Sequence, residues 1–348
     1  MKYNFGVYRT VMMIVSLSVI LVALAGCSNA SKTSSNTMVY YPTGDQGLAF
    51  SWSNLAATGN SSNSIYVGMP FTWMISINND GYAQVPENSG YYVINGIDPS
   101  IWGITTSKGT FPSYDLKGTR YVTSESKNTL PGDNDILSID SNGYSSKIDG
   151  NSLNQNVEVN FCYPYNTSAA TMMCVANNLY DKNNKICKAS GTDPTSSSAA
   201  PVKVSSVTQY SYASKTTTSV RMIYTIQKTG SGQVFLPTST LPHCGLSLAG
   251  GMQSSVNIKK NENKVHVKIT TPDTTSFDIK CSGVQNTQSG NGYFEGDLYL
   301  TGTPVTCTFR QVGTPVATTY QLLTKMVLTY QYKDSILQPI TILSSPTG

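Results

Sequence analysis

The alternation of apolar and polar residues around position 75 constrains the fold of this chain more than any other feature. Every second residue from Phe71 to Ile77 is large and apolar, and the residues between them are mostly polar. This period of two places the apolar side chains on one face of an extended segment. The sequence from Asn79 to Gly81 follows immediately, as is typical of the turn that closes a strand. A half-buried β-strand is therefore predicted here.

The same pattern recurs in the second half of the chain. Apolar residues alternate again from Val220 to Ile226, and Gly230 stands where Gly81 stood in the first copy. A second pair of similar segments is Tyr163-Pro164-Tyr165 and Tyr330-Gln331-Tyr332. The sequence predicts a polar turn after each segment, at 166–168 and at 333–335. A final strand is predicted after each turn. Two similarities in the same order indicate a duplicated domain. The alternative is a chance likeness between unrelated strands.

The rest of the chain also favours strands over helices. It contains 22 Tyr and many Thr residues, and no long stretch has the spacing of an amphipathic helix. Short strands between frequent Gly, Pro and Asn turns predict an all-β fold built from two tandem β-sandwich domains. Further strands are predicted at Val265–Ile269, Phe277–Cys281, Tyr293–Leu300, Val305–Phe309 and Leu337–Leu343.

The amino terminus has the features of a lipoprotein signal. Lys2 and Arg9 precede an apolar run from Val11 to Ala25, which is shorter than the roughly 20 residues of a transmembrane helix. The run ends in Leu24-Ala25-Gly26-Cys27, which resembles a lipobox, without a basic stop-transfer cluster behind it. The resemblance implies cleavage before Cys27 and acyl chains on its sulfur. A transmembrane anchor is the alternative.

Composition shifts divide the chain into four parts. Residues 1–26 are predicted as the lipoprotein signal peptide, and residues 27–45 as the lipidated cysteine and a flexible Ser/Asn/Thr-rich tether. Residues 46–193 are predicted as the first sandwich and residues 200–346 as the second. The boundary lies in a segment rich in Ser, Gly and Pro.

Six further cysteines are predicted to form disulfides. Their even number suits an exported protein, and 15 connectivities are possible. Three lie in each half, so full pairing requires at least one bond between the halves. The chain has no C-x-x-C sequence, and a free thiol is the alternative for some of them. They are Cys162, Cys174, Cys187, Cys244, Cys281 and Cys307.

Several short motifs in this order resemble a known family. They are Gly47–Phe50, Val67–Phe71, Gly96–Ser100, Cys162–Tyr165 and Ala200–Val202. Together they are similar to archaeal surface lipoproteins with paired adhesion-type (CARDB-like) Ig β-sandwich domains, and the likeness covers most of residues 46–345. The segment Asp133 to Leu153 is longer and more polar than the family pattern. The resemblance implies two Ig-like sandwiches and supplies no catalytic residues.

Candidate chemistry is sparse. Catalysis by a Ser-His-Asp arrangement needs a general base, and the chain has only His243 and His266. His243 is predicted in a loop beside a disulfide, and His266 on the outward face of a strand. No catalytic residue is therefore assigned.

Two further features are candidate binding sites. Asp133, Asp135 and Asp140 form a weak calcium candidate, because calcium prefers several oxygen ligands on a turning loop. Their spacing does not fit an EF-hand, so a solvated loop is preferred and no metal is assigned. Trp73 is predicted in the core, whereas Trp102 follows a turn and is a candidate exposed platform for sugar or peptide.

These observations predict an extracytoplasmic, membrane-anchored lipoprotein at the cell surface or outer envelope. It would act without catalysis or a cofactor in adhesion, envelope assembly or partner binding. Its expected partners are the membrane, through the lipid on Cys27, and a protein or glycan. Without the two basic residues of the signal peptide, the net charge falls from +4 to +2, which is too small to indicate nucleic acid. An accessory scaffold subunit of a larger envelope complex is the alternative, and a hydrolase with an unfamiliar site is a third reading.

Overall fold

Strands dominate the computed structural model of the chain. It describes residues 37–53, 63–122, 128–176, 186–213, 217–238, 242–246, 255–272, 276–302, 304–313 and 318–344. The first half contributes these strands: β1 (Leu48–Trp52), β2 (Ser64–Tyr66), β3 (Phe71–Asn79), β4 (Gly90–Asn95), β5 (Lys108–Phe111), β6 (Arg120–Tyr121), β7 (Thr129–Leu130), β8 (Asn134–Ser141) and β9 (Ser152–Val175).

The second half has a similar strand content with one short helix. Its helical elements are a 3-10 turn (Pro242–Gly245) and α1 (Ser255–Asn261). Its strands are β10 (Ser190–Asp193), β11 (Thr195–Ser197), β12 (Val202–Ala213), β13 (Thr218–Lys228), β14 (Gln233–Phe235), β15 (Lys264–Thr270), β16 (Phe277–Ser282), β17 (Val284–Gly290), β18 (Tyr293–Tyr299), β19 (Val305–Gln311) and β20 (Tyr320–Leu343). Within the described ranges, no helix is long and apolar enough to cross a membrane.

The strands form three main sheets. A three-stranded sheet has the order β1-β3-β8, and a five-stranded sheet has the order β10-β12-β13-β19-β16. A ten-stranded sheet runs β17-β18-β15-β20-β9-β4-β5, with β11 beside β9 and with β2 and β14 beside β20. Strands β6 and β7 form a separate small pair. The all-β prediction is confirmed.

The predicted alternation accounts for the central strand of each smaller sheet. In β3 every second residue from Phe71 to Asn79 is buried, and the same holds in β13 from Thr218 to Ile226. Both strands lie between two antiparallel neighbours, so one face packs on the core and the other is less buried. Four of the strands predicted in the second half, β15, β16, β18 and β19, are present with bounds that differ by a residue or two. The separate strand predicted at Leu337–Leu343 is wrong, because these residues are the end of the longer β20.

The two longest strands join the halves of the chain. β9 and β20 are each 24 residues long, and they pair antiparallel from end to end. Tyr163 lies opposite Tyr332, and Tyr165 lies opposite Tyr330, so the two Tyr-x-Tyr motifs meet near the middle of the pair. Residues Met38–Gly348 cluster as one compact unit.

The polar turns predicted at 166–168 and 333–335 are wrong, because β9 and β20 continue through both tripeptides. Each tripeptide keeps its ladder partners on the opposing strand. The hydroxyl of Thr167, which is fully buried, donates to the carbonyl of Val202 at 2.5 Å and contacts the hydroxyl of Tyr330 at 3.1 Å. Polar side chains do not end a strand when their groups find partners inside the fold.

The segments expected to be tether and linker make ordered contacts where they are described. The amide of Tyr41 donates to the hydroxyl of Ser196, and the amide of Ala199 donates to the carbonyl of Pro42 at 2.7 Å. Around the predicted domain boundary, β10 at the end of the first predicted domain pairs with β12, and β11 between the two domains pairs with β9. Ordered backbone contacts therefore begin before Gln46, and the residues around the boundary contribute to two sheets.

Candidate functional site

Four tyrosines lie where the two halves meet. The rings of Tyr163 and Tyr332 are 5.8 Å apart, and those of Tyr165 and Tyr330 are 6.2 Å apart. All four side chains are buried in the main core. Burial raises the pKa of each of the four phenols above its ordinary value. They therefore stay neutral and act as hydrogen-bonding groups inside the fold.

Three of these hydroxyls accept backbone amides from the segments around them. Tyr163 accepts the amide of Leu48 at 3.0 Å, Tyr165 that of Ala83 at 3.2 Å, and Tyr332 that of Gly232 at 2.6 Å. These amides lie at the first residue of β1 or in the turns after β3 and β13. The tyrosines thus fasten chain segments of both halves to the large sheet.

The glycines found by the sequence repeat lie against these tyrosines. A Cβ atom on Gly81 would be 1.9 Å from the hydroxyl oxygen of Tyr165, and one on Gly230 would be 2.3 Å from that of Tyr332. Both positions therefore require the absence of a side chain. The two similarities noted in the sequence are thus parts of one contact, which occurs once in each half.

A groove adjoins this cluster between the start of β1 and the turn after β13. Its volume is about 380 Å³, and its lining includes Asp45, Phe50, Pro201, Ser231 and Asp334. A neighbouring depression of about 440 Å³ shares Ser231 and Asp334. The groove therefore lies between residues of the first half and residues of the second.

The groove is mildly acidic. Burial raises the pKa of Asp334, and the amide of Ser335 donates to its Oδ1 atom at 2.9 Å, which partly opposes that rise. Asp45 forms an ion pair with Lys203, and Glu158 lies in the neighbouring depression. This lining offers hydrogen-bond acceptors and hydroxyl groups to a small ligand, but the described residues place no histidine or cysteine thiol in it.

The six predicted cysteines form three disulfides. Cys162 pairs with Cys244, Cys174 with Cys187, and Cys281 with Cys307. The first of these joins β9 to the loop before α1, so one bond links the two halves as the cysteine distribution requires. The prediction of disulfides is confirmed. Cys27 lies outside the described residues.

The aspartates of the calcium candidate are separately engaged. Asp133 accepts a hydrogen bond from the amide of Lys117, and Asp135 accepts hydrogen bonds from the amide and the hydroxyl of Ser113. Asp140 accepts one from the hydroxyl of Thr72 at 2.7 Å. Among the described residues, no group of three His, Cys, Asp or Glu side chains could hold a metal ion. The three carboxylates act as local hydrogen-bond acceptors along one edge of the first half.

The two histidines occupy different surroundings. His243 lies beside the Cys162–Cys244 bond with φ of 52°, its ring is 4.7 Å from that of Tyr91, and burial lowers its pKa. His266 is partly exposed on β15, and its Nδ1 atom is 3.0 Å from Oδ1 of Asp297. No hydrogen bond joins His266 to a serine or threonine hydroxyl in the described part of the chain.

The tryptophans are packing residues. Trp73 is fully buried, as predicted, and Trp102 is only 1% exposed, so its expected role as an exposed platform is wrong. The ring of Trp102 lies 5.5 Å from that of Trp73 and 5.4 Å from that of Tyr144. Aromatic residues distant in the sequence bury it, and the local turn sequence carries no sign of them.

Two acidic residues were missed by sequence reasoning. Burial raises the pKa of Asp193 to about 7, and its Oδ2 atom is enclosed without a hydrogen-bond partner. Asp297 pairs with His266 and also accepts the side-chain amide of Asn286 at 2.8 Å. Asp193 is marked only by its burial and Asp297 only by its pairing with neighbouring strands, and no short motif marks either one.

Comparisons with known proteins give no family. No protein-family model matches the chain, and no curated protein sequence is similar to it. Its strands align weakly with the secreted serine protease VesC from Vibrio cholerae, at 9% identity and a TM-score of 0.16, over 82% of this chain. The alignment spans 50% of the VesC chain.

Two other solved structures align at a similar level. The Fcho1 mu homology domain of Danio rerio, with a bound Eps15 peptide, gives 9% identity and a TM-score of 0.19, over 56% of this chain and 86% of that domain. The collagen adhesin of S. aureus gives 8% identity and a TM-score of 0.15, over 88% of this chain and 95% of that one. Scores this low support no argument about function.

Proposed function

We propose that this chain is a membrane-anchored extracytoplasmic lipoprotein whose two Ig-like sandwiches serve in adhesion, envelope assembly or partner binding, without catalysis. The observation that carries the proposal is the set of three disulfides. Such bonds persist in oxidising compartments outside the cytoplasm. They agree with the predicted signal peptide at residues 1–26, after which Cys27 would hold the protein at a membrane through acyl chains.

Strand order supports the Ig-like part of the proposal. In an Ig sandwich the first, second and fifth main strands share one sheet, and the third and sixth lie in the other. Within the first half, β1-β3-β8 forms one sheet and β4 pairs with β9 in another. Within the second half, β12-β13-β19 and β15-β20 repeat this arrangement, and β16 lies beside β19. This recurrence also supports the duplication and the adhesion-type resemblance.

Pairing of β9 with β20 suggests how the two sandwiches work together. The seventh strand of an Ig sandwich lies beside the sixth. In the first half the sixth strand is β9, and the strand beside it is β20 from the second half. In the second half the sixth strand is β20, and β9 lies beside it. A shared ladder of this length, together with the Cys162–Cys244 bond, would make the pair a stiff unit. Such a unit suits a protein that presents a fixed surface to a partner.

Fractionation of cells that express a Cys27→Ala variant tests the anchoring. The wild-type protein is expected in the membrane fraction, and the variant is expected in the soluble or secreted fraction. A Cys281→Ala/Cys307→Ala variant serves as the matched control, because it removes two cysteines and keeps the lipid site. Retention of the Cys27→Ala variant in the membrane would overturn the proposal.

Crosslinking in native membranes, followed by purification, distinguishes a role in adhesion from a role as a scaffold subunit. Binding to glycans or whole cells by a protein without fixed companions supports adhesion. Stoichiometric membrane-protein companions would instead indicate an accessory scaffold subunit of an envelope complex.

A further inference from the structure

One exposed sheet face in the second half carries an unusual set of side chains. The five-stranded sheet buries one side against the core and exposes the other. We call this exposed side the basic face and define it by five residues from four adjacent strands. They are Tyr210 and Tyr212 on β12, Arg221 on β13, Arg310 on β19 and Lys280 on β16.

Strand register brings these residues together. Tyr210 lies opposite Arg221, whose partner on β19 is Thr308, and Thr308 in turn lies opposite Lys280. In the neighbouring row, Tyr212 lies opposite Ser219, whose other partner is Arg310, and Arg310 lies opposite Asp278 on β16. Adjacent strands are about 4.8 Å apart, so the face spans about 14 Å across its four strands.

The cations of the basic face are largely free to bind a ligand. Arg221 and Arg310 are both exposed, and neither forms an ion pair within the described part of the chain. The ammonium of Lys280 is 3.7 Å from Asp278, and its side chain is 78% exposed. The tyrosine residues are 42% and 52% exposed. Three positive charges thus face solvent with a single acidic residue among them.

Comparison with the equivalent face of the first half shows that this charge is specific to the second. Thr72 on β3 occupies the place of Arg221 in the repeated strand, and its hydroxyl donates to Asp140 on β8. On β19, Thr308 is the partner of Arg221 at the corresponding point. One copy therefore pairs Thr with Asp, whereas the other pairs Arg with Thr. The strand pattern alone does not require the positive charge, because the first copy lacks it.

We propose that the basic face binds an acidic polysaccharide. Guanidinium groups form paired hydrogen bonds with carboxylates, which sugar acids carry at regular intervals along a chain. Exposed tyrosine rings offer an apolar face and a polar tip to sugar rings. The Ser and Thr residues between the cations can hydrogen bond with sugar hydroxyls. This inference rests on the proposed binding function and names the chemical class of the partner.

Binding of polygalacturonate to the full-length protein purified in detergent tests the inference. Affinity is expected to fall about tenfold in an Arg221→Thr/Arg310→Thr variant, because each exposed charge pair contributes up to a few-fold. Threonine suits a strand and already stands at the equivalent position of the first half, so the variant should fold. A Lys117→Thr/Lys147→Thr variant, which loses two exposed charges from the first half, is the matched control and should bind as the wild type does.

The comparison ligands make each outcome decisive. Dextran, a neutral polysaccharide, should bind at least tenfold more weakly than polygalacturonate. Equal losses in the arginine and Lys117/Lys147 variants, equal binding of dextran, or no binding of polygalacturonate at low salt would overturn the inference. So would binding to phosphatidylglycerol vesicles alone, which would assign the face to lipid headgroups. The Cys27 fractionation is independent of these results and reports separately on the anchoring.

Discussion

Removing the disulfide between Cys162 and Cys244 should destabilise the protein more than removing either of the other two. The three bonds join cysteines 82, 13 and 26 residues apart in the sequence. A disulfide stabilises the native state chiefly by restricting the unfolded chain, and this effect grows with the logarithm of the loop length. At 25 °C the relation gives about 4.5 kcal/mol for Cys162–Cys244, about 3 for Cys174–Cys187 and about 3.5 for Cys281–Cys307.

Local packing adds to the cost at each site, since Cys174 and Cys307 are buried as well. Cys162 and Cys244 are both buried, and with Phe235 they form a small apolar cluster separate from the main core. Alanine at both positions would leave a void, which costs on the order of 1 kcal/mol more. The native state would also lose its covalent link between β9 and the loop before α1.

Urea unfolding without reductant measures this difference. We expect the free energy of unfolding of a Cys162→Ala/Cys244→Ala variant to be about 1.5 kcal/mol or more below that of a Cys174→Ala/Cys187→Ala variant. The second variant is the control for the loss of a disulfide as such. An equal or smaller loss in the first variant would refute the argument from loop length and from the link between the halves.

Three further predictions concern buried contacts. Alanine at Gly81 or at Gly230 should lower the free energy of unfolding by about 1–3 kcal/mol, because its Cβ atom would overpack the core. Tyr165→Phe should restore part of the loss at Gly81, and Tyr332→Phe part of the loss at Gly230, as measured by thermal unfolding. The absence of any rescue would contradict the close contact of each glycine with its tyrosine hydroxyl. Replacing Thr167 with Val should cost about 1–3 kcal/mol, because the carbonyl of Val202 loses its donor; unchanged stability in the same assay would count against that bond. Because burial raises the pKa of Asp193 to about 7, the native state should lose stability as the pH rises from about 4 to about 7. Asp193→Asn should therefore gain about 1–2 kcal/mol at pH 8, after allowance for solvent screening, and nothing below pH 4; a pH-independent effect would refute the assignment.

Sequence alone predicted the strands whose period was clean. The burial of Trp73 and of Met222 follows from alternation, because a strand between two neighbours in a sheet has one buried face. The Tyr-x-Tyr motifs and the turn glycines were also visible in the sequence. Their contact was not, since it depends on how the turns after β3 and β13 pack against β9 and β20.

Non-local pairing explains most of what could not be predicted. The polar residues at 166–168 have the composition of a turn, yet they stay in a strand because β20 satisfies their backbone along the whole ladder. The 15 possible cysteine connectivities differ only in tertiary contacts, so the sequence could not choose among them. The basic face likewise depends on register, which brings Arg221 and Arg310 together from strands that are distant in the chain.

Mass analysis of the amino-terminal peptide of the protein, purified from membranes, tests whether Cys27 anchors the chain. We expect the mature chain to begin at Cys27 and this residue to carry a diacylglycerol thioether, with or without a further acyl chain on its amino group. The mass of the peptide would then exceed that of the unmodified peptide by the mass of the lipid. A chain that retains residues 1–26, or one whose Cys27 thiol is free, would refute the proposed lipid anchor.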